Sequence, residues 1–127
     1  MKNVYLHFNS RDEFLRIDAG KIVSFEADGN YTNIVLANQL RATVCMNLAQ
    51  MQQILSERLK ERATIFARVG KKYIINHTCV FQISVLKQKL TLSDGANFAY
   101  TLDVSKEALK NLKEPYLASV TKNTTTE

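Results

Sequence analysis

The 127-residue chain, 46% hydrophobic and 23% charged, is long enough to bury one core and too short for two ordinary domains. It has no apolar run near the roughly 18 residues of a membrane span, which excludes a membrane-embedded class. Its formal net charge of +5 is modest but unevenly placed. Between Arg62 and Lys89 the charged residues are Arg62, Arg68, Lys71, Lys72, Lys87 and Lys89, with no Asp or Glu among them, as on a solvated face or on a surface that displaces counterions from phosphates.

The opening MKNVYLHFNSRDEF lacks the continuous apolar stretch of a signal peptide, so a cytoplasmic protein is expected. The segments VYLHF, EFLRI, IVSFEA and YTNIVL are short, rich in β-branched and aromatic residues and separated by turn formers, and they read as strands. Between the last two, Asp28-Gly29-Asn30 tolerates the positive φ of a hairpin turn and predicts an antiparallel pair. A short strand at RATVC follows a turn around Ala37-Asn38-Gln39.

The period then changes. Leu48, Met51, Leu55 and Leu59 recur at spacings of three and four and mark the core-facing stripe of an amphipathic helix, with Asn47 and Gln50 placed as a capping box. Strand character returns in TIFARV, KYIINHTCVFQISV, KLTL and NFAYTL, with a turn at Ser93-Asp94-Gly95. A second short helix is predicted from an N-cap at Ser105 through Ala108, Leu109 and Leu112, stopping before Pro115. The polar, Thr-rich end, SVTKNTTTE, predicts a mobile tail. The expected organisation is an N-terminal strand extension over 1–21, a mainly β domain with two short helices over 22–114, and a flexible tail over 115–127.

Chemistry-bearing motifs are sparse. Cys45 and Cys79 sit in apolar runs and are expected to be buried thiols, since two cysteines build no disulfide framework and His77 alone completes no metal site. His7 and His77 lie in strand patterns without a nucleophile motif nearby. The chain has no P-loop, dinucleotide loop, zinc helix or calcium loop, so no catalytic residue, cofactor or metal is expected and the protein is not read as an enzyme. The N-x-[ST] matches at Asn30, Asn76 and Asn123 are treated as chance. The adjacent helices of a helix-turn-helix are missing too, so any DNA reading would fall to strands and loops, which the major groove's full donor and acceptor code permits.

Four stretches, in order, resemble the LytTR family of bacterial transcriptional regulators: IVSFEADGNYTNIVL, RATVCMNLAQMQQIL, FARVGKKYIINHTCVFQI, and KLTLSDG followed by YTLDVSKEAL. The third carries the family's Phe-x-Arg segment, basic pair, aliphatic stretch and Asn as Phe66, Arg68, Lys71, Lys72, Ile74, Ile75 and Asn76. The resemblance implies small antiparallel sheets with short helices, whose loops enter successive major grooves of double-stranded DNA. Carried over by position, Thr32 and Asn33 in the hairpin, Lys71 and Lys72 in a second loop, and Ser105 and Lys106 at the last helix face DNA; Arg68 and Tyr73 contact phosphate or support the loop.

This chain departs from the family in having Gly70-Lys71-Lys72 and Val104-Ser105-Lys106, where many members have His-Arg-Ser and Val-Ser-Arg. Lysine lacks arginine's bidentate fork, so weaker discrimination is implied. Tyr31 and Tyr73 are expected to pack on a sheet face. Lys71-Lys72 ranks first among the site candidates, because folding alone needs no charge between two apolar strands. The residues before Ile22 are too few for the receiver or sensor domain that members carry. A bare DNA-binding domain is therefore expected, its signal coming from a partner such as a separate signalling protein, from a missing segment or from abundance. A monomer that pairs on DNA repeats is the expected assembly. The competing reading is a small β protein-interaction module whose basic loop meets an acidic partner.

Overall fold

The computed structural model describes residues 4–119. The first alternating segments form a hairpin of β1 (Tyr5–Asn9) and β2 (Phe14–Asp18), which turns Leu6, Phe8 and Ile17 inward. The Asp18 carboxylate accepts from the Gly20 amide at 2.9 Å and starts a 3₁₀ turn that feeds the next strand.

A five-stranded antiparallel sheet forms the middle of the molecule, in the order β5-β4-β3-β7-β6. Its strands are β3 (Ile22–Asp28), β4 (Tyr31–Leu36), β5 (Arg41–Val44), β6 (Phe66–Val69) and β7 (Tyr73–Asn76). The hairpin turn between β3 and β4 is where sequence placed it. There Gly29 takes φ +62° and Asn30 does not go left-handed, so only the first central residue needs glycine's freedom.

Alternation along these strands gives the sheet two apolar faces, and each face covers a core. On one side Phe25, Ile34 and Ile74 pack with the hairpin and with α1 (Leu48–Leu59), whose Leu48, Met51, Leu55 and Leu59 are all buried. The capping box is present: the Gln50 amide donates to the Asn47 side chain at 2.8 Å, and the Asn47 amide donates to the Gln50 side chain at 2.9 Å. On the other side Val23, Val69, Tyr73 and Ile75 meet Leu90, Leu92 and Leu109. Those belong to a three-stranded sheet of β8 (Val80–Ser84), β9 (Lys89–Ser93) and β10 (Ala99–Asp103), and to α2 (Lys106–Ser119). The expected mainly β fold of small antiparallel sheets with two helices is the observed one.

Four expectations need correction. The run KYIINHTCVFQISV is not one strand but β7 and β8, in different sheets, divided by a 3₁₀ turn at His77–Cys79. Buried Asn76 makes the break: its amide donates to the Ile22 carbonyl at 2.9 Å, while its side-chain oxygen accepts from the Thr78 amide at 3.0 Å and hydroxyl at 2.6 Å. His77 accordingly sits on that turn, edge-on to Tyr116, rather than in a strand. The second helix does not stop before Pro115 but runs through it. Proline there removes one backbone bond, and the Tyr116 hydroxyl, donating to the His77 carbonyl at 3.0 Å, ties the following turn to the body.

The cysteines also differ from expectation. Cys45 is exposed and Cys79 only half-buried, its thiol held above the ordinary pKa chiefly by burial. The turn after β9 is as expected: the Asp94 carboxylate accepts from the Ala96 amide at 2.9 Å and the Asn97 amide at 2.6 Å, which lowers its pKa to about 2. The expected mobile tail lies, beyond Ser119, outside the described residues.

Candidate nucleic-acid interface

Three segments distant in sequence meet at one end of the central sheet. The first is the β6–β7 turn, Gly70-Lys71-Lys72, where Gly70 takes φ +62°. A Cβ on Gly70 would lie 3.7 Å from the Ala108 Cβ, so this turn rests on the first turns of α2, the second segment. The third is the β3–β4 hairpin, joined to the turn by the Ala27 amide donating to the Lys72 carbonyl at 2.8 Å. A groove of about 620 Å³ between the turn and α2 is bordered by Lys71, Lys72, Ser105 and Glu107.

Arg68 holds the turn from behind. Its guanidinium donates to the Lys71 carbonyl and to the Gln52 side chain of α1, each at 3.3 Å, which suits the supporting role among the two considered for it. Lys72 reaches the other way: its ammonium lies 3.7 Å from a Glu26 carboxylate oxygen and 5.7 Å from the Tyr73 ring centroid. Tyr73 is buried in the second core, as expected, and its phenol is held above the ordinary pKa, first by burial and then by Glu26. It stays neutral and backs Lys72 instead of facing solvent.

Ser105 caps α2, accepting from the Ala108 amide at 3.2 Å. Lys106 and Glu107 follow, both exposed, so the helix N-terminus opens beside the groove with its amide dipoles directed outward. Among the described residues, neither Lys71 nor Lys106 has a carboxylate at ion-pair distance. These two cations are therefore available to an external anion.

The hairpin pair separates. Asn33 lies on the Glu26 side of the sheet and is oriented at both ends: its oxygen accepts from the Thr43 hydroxyl at 2.7 Å, and its amide donates to Asp28 at 3.3 Å. Thr32, its neighbour, points to the opposite face by strand alternation and is 0% exposed. Its hydroxyl donates to the Met46 carbonyl at 2.7 Å. A groove contact from Thr32 is thus corrected to a buried tether between β4 and the segment entering α1. Thr32→Val should cost about 1 kcal/mol in urea unfolding, because the part-buried Met46 carbonyl loses its partner. An unchanged midpoint would show the tether to be idle. Tyr31 is half exposed at the hairpin tip and not packed on the sheet as expected.

Sequence reasoning missed Arg41. It stands on the edge strand β5, outside the basic stretch, and its guanidinium lies 3.8 Å from the second Glu26 oxygen. Only the register, with β4 between β3 and β5, brings it there.

The comparisons with known proteins bear on the family and the fold. The model of the LytTr DNA-binding domain matches residues 12–116. One similar solved structure is the LytTr DNA-binding domain of a methyl-accepting/DNA response regulator from Bacillus cereus; at 17% identity it superposes with a TM-score of 0.60 over 94% of this chain and 100% of that one. No curated protein matches the sequence significantly.

Proposed function

Because the chain belongs to the LytTR family of DNA-binding domains, we propose that it regulates transcription by recognising a specific duplex sequence, with Asn33, Lys71, Lys72, Ser105 and Lys106 as its DNA contacts. The observation that carries this reading is that the Gly70–Lys72 turn meets the α2 N-terminus across one groove and the β3–β4 hairpin through the Ala27–Lys72 backbone bond, while Lys71 and Lys106, among the described residues, have no carboxylate at ion-pair distance.

The division of labour follows from chemistry. Lysines and helix amides suit phosphate oxygens, which fix register; polar side chains on rigid turns suit base edges, which carry sequence. Arg68, Tyr73 and Thr32 hold these turns. Lysine at positions 71 and 106 gives point-charge contacts without a planar fork, so discrimination rests more on the fit of three turns than on any one base contact. Glu107 favours the N-terminus of α2 and repels a phosphate that comes too near, which bounds how closely the helix approaches the backbone. The cytoplasm, where bacterial DNA is found, is the proposed site of action.

The test is selection from a randomised duplex pool, followed by affinity measurements for the selected and a scrambled duplex across a salt series. A shared motif bound roughly a thousandfold more tightly than the scramble is expected. Weak binding to both that vanishes with salt would leave only a basic surface and favour an acidic protein partner.

A further inference from the structure

Glu26 stands on β3 between Asn33 of β4 and Tyr73 of β7 in the sheet register. Its two oxygens engage cations from different elements: Oε1 is 3.8 Å from Arg41 Nη2 on the edge strand, and Oε2 is 3.7 Å from Lys72 Nζ on the β6–β7 turn. The carboxylate side chain is 25% exposed, whereas Arg41 and Lys72 are 55% and 60% exposed. The acid is thus the sheltered member and the cations flank it facing solvent. Ion pairs this exposed contribute little to folding, so stability does not account for a carboxylate placed among cations on a face that must attract phosphate. A second acid, Asp103, is already engaged by Lys89 and adds a weaker attraction on Lys72.

We propose that Glu26 is a specificity-determining residue of the duplex-binding face: it draws Arg41 and Lys72 toward one point on the sheet and offsets one of their two charges, restraining sequence-independent attraction to DNA. Arg41 thereby becomes a further backbone contact, on the far side of the hairpin from Lys71. The inference rests on the DNA-binding reading above. Physically, non-specific affinity grows with the number of phosphates neutralised, whatever the sequence. Lys and Arg side chains with no carboxylate nearby find phosphates on any duplex, whereas two cations biased toward one carboxylate across β3 meet phosphates best when the duplex sits in one register.

Glu26→Gln keeps the side-chain shape and removes the charge. Measured on the selected and scrambled duplexes across a salt series, it should tighten binding to the scramble and steepen its salt slope by about 0.9, the equivalent of one more phosphate. The selected-to-scrambled ratio should fall about tenfold, as for one lost position of a recognition site. Glu26→Asp, which keeps the charge on a shorter arm, should return the scrambled affinity and slope to the wild-type values while the ratio stays lowered; a thermal melt of each variant checks folding. An unchanged scrambled affinity and slope in Glu26→Gln overturns the proposal, as does an equal change on both duplexes. If the wild-type protein itself fails to distinguish the duplexes, the DNA-binding reading falls and this inference with it. If the wild type discriminates and Glu26→Gln leaves the ratio intact, only the inference falls.

Discussion

Alanine at both Lys71 and Lys72 is expected to weaken binding to the selected and scrambled duplexes alike, by about tenfold or more, as phosphate contacts are lost. The two lysines do not contribute equally. Lys71 has no carboxylate at ion-pair distance among the described residues, so its charge is wholly available, whereas Lys72 is shared with Glu26. The salt slope should therefore decrease by more than 0.9, the share of one phosphate, and by less than twice that amount. Both side chains are exposed, and the turn is set by Gly70, Arg68 and the Ala27–Lys72 backbone bond, so the melting temperature should barely move. A double variant with unchanged affinity and slope would place the DNA-contacting surface elsewhere on the molecule.

Leu109→Ala is expected to have the largest effect on stability, about 2–5 kcal/mol by urea unfolding, as for other large-to-small changes at fully buried positions. Leu109 is 0% exposed and belongs to the core beneath α2, with Val69, Ile75, Leu90 and Leu92. Its removal loosens α2 from the sheet, and α2 carries Ser105 and Lys106 and supports Gly70 through Ala108. Affinity for the selected duplex should consequently fall under conditions where the variant is still folded, while weak, salt-sensitive binding to the scramble persists. A stability loss under about 1 kcal/mol would mean that the site collapses around the missing atoms or that α2 is not held by this contact.

Much of this was legible before any coordinates, wherever a feature depends on residues near one another in the chain. The stripe from Leu48 to Leu59 and the Asn47–Gln50 box specify α1 within a dozen residues, and both are observed. Gly29 specifies the hairpin, and Ser105 the start of α2. The basic pair Lys71-Lys72 was visible as charge that two apolar strands do not require. The errors share another origin. The strand break at Asn76 depends on the Ile22 carbonyl, 54 positions away, and the continuation of α2 past Pro115 is tied to the His77 carbonyl. Thr32 was carried over by position from the family's hairpin as a groove contact, yet its hydroxyl belongs to the Met46 carbonyl on the other face.

By itself, then, the sequence determined most of the elements, the caps of α1 and α2, the hairpin turns and the family resemblance, since these follow from backbone preferences and periodicities that act over a few residues. Only the tertiary structure decided which face each polar residue occupies and which charges are neighbours. Sheet pairing joins residues without regard to their separation in the chain, and a shift of one position in register reverses every side chain. The grouping of Glu26, Arg41 and Lys72 is therefore a property of the register of β3 with β4, β5 and β7, and no local pattern encodes it.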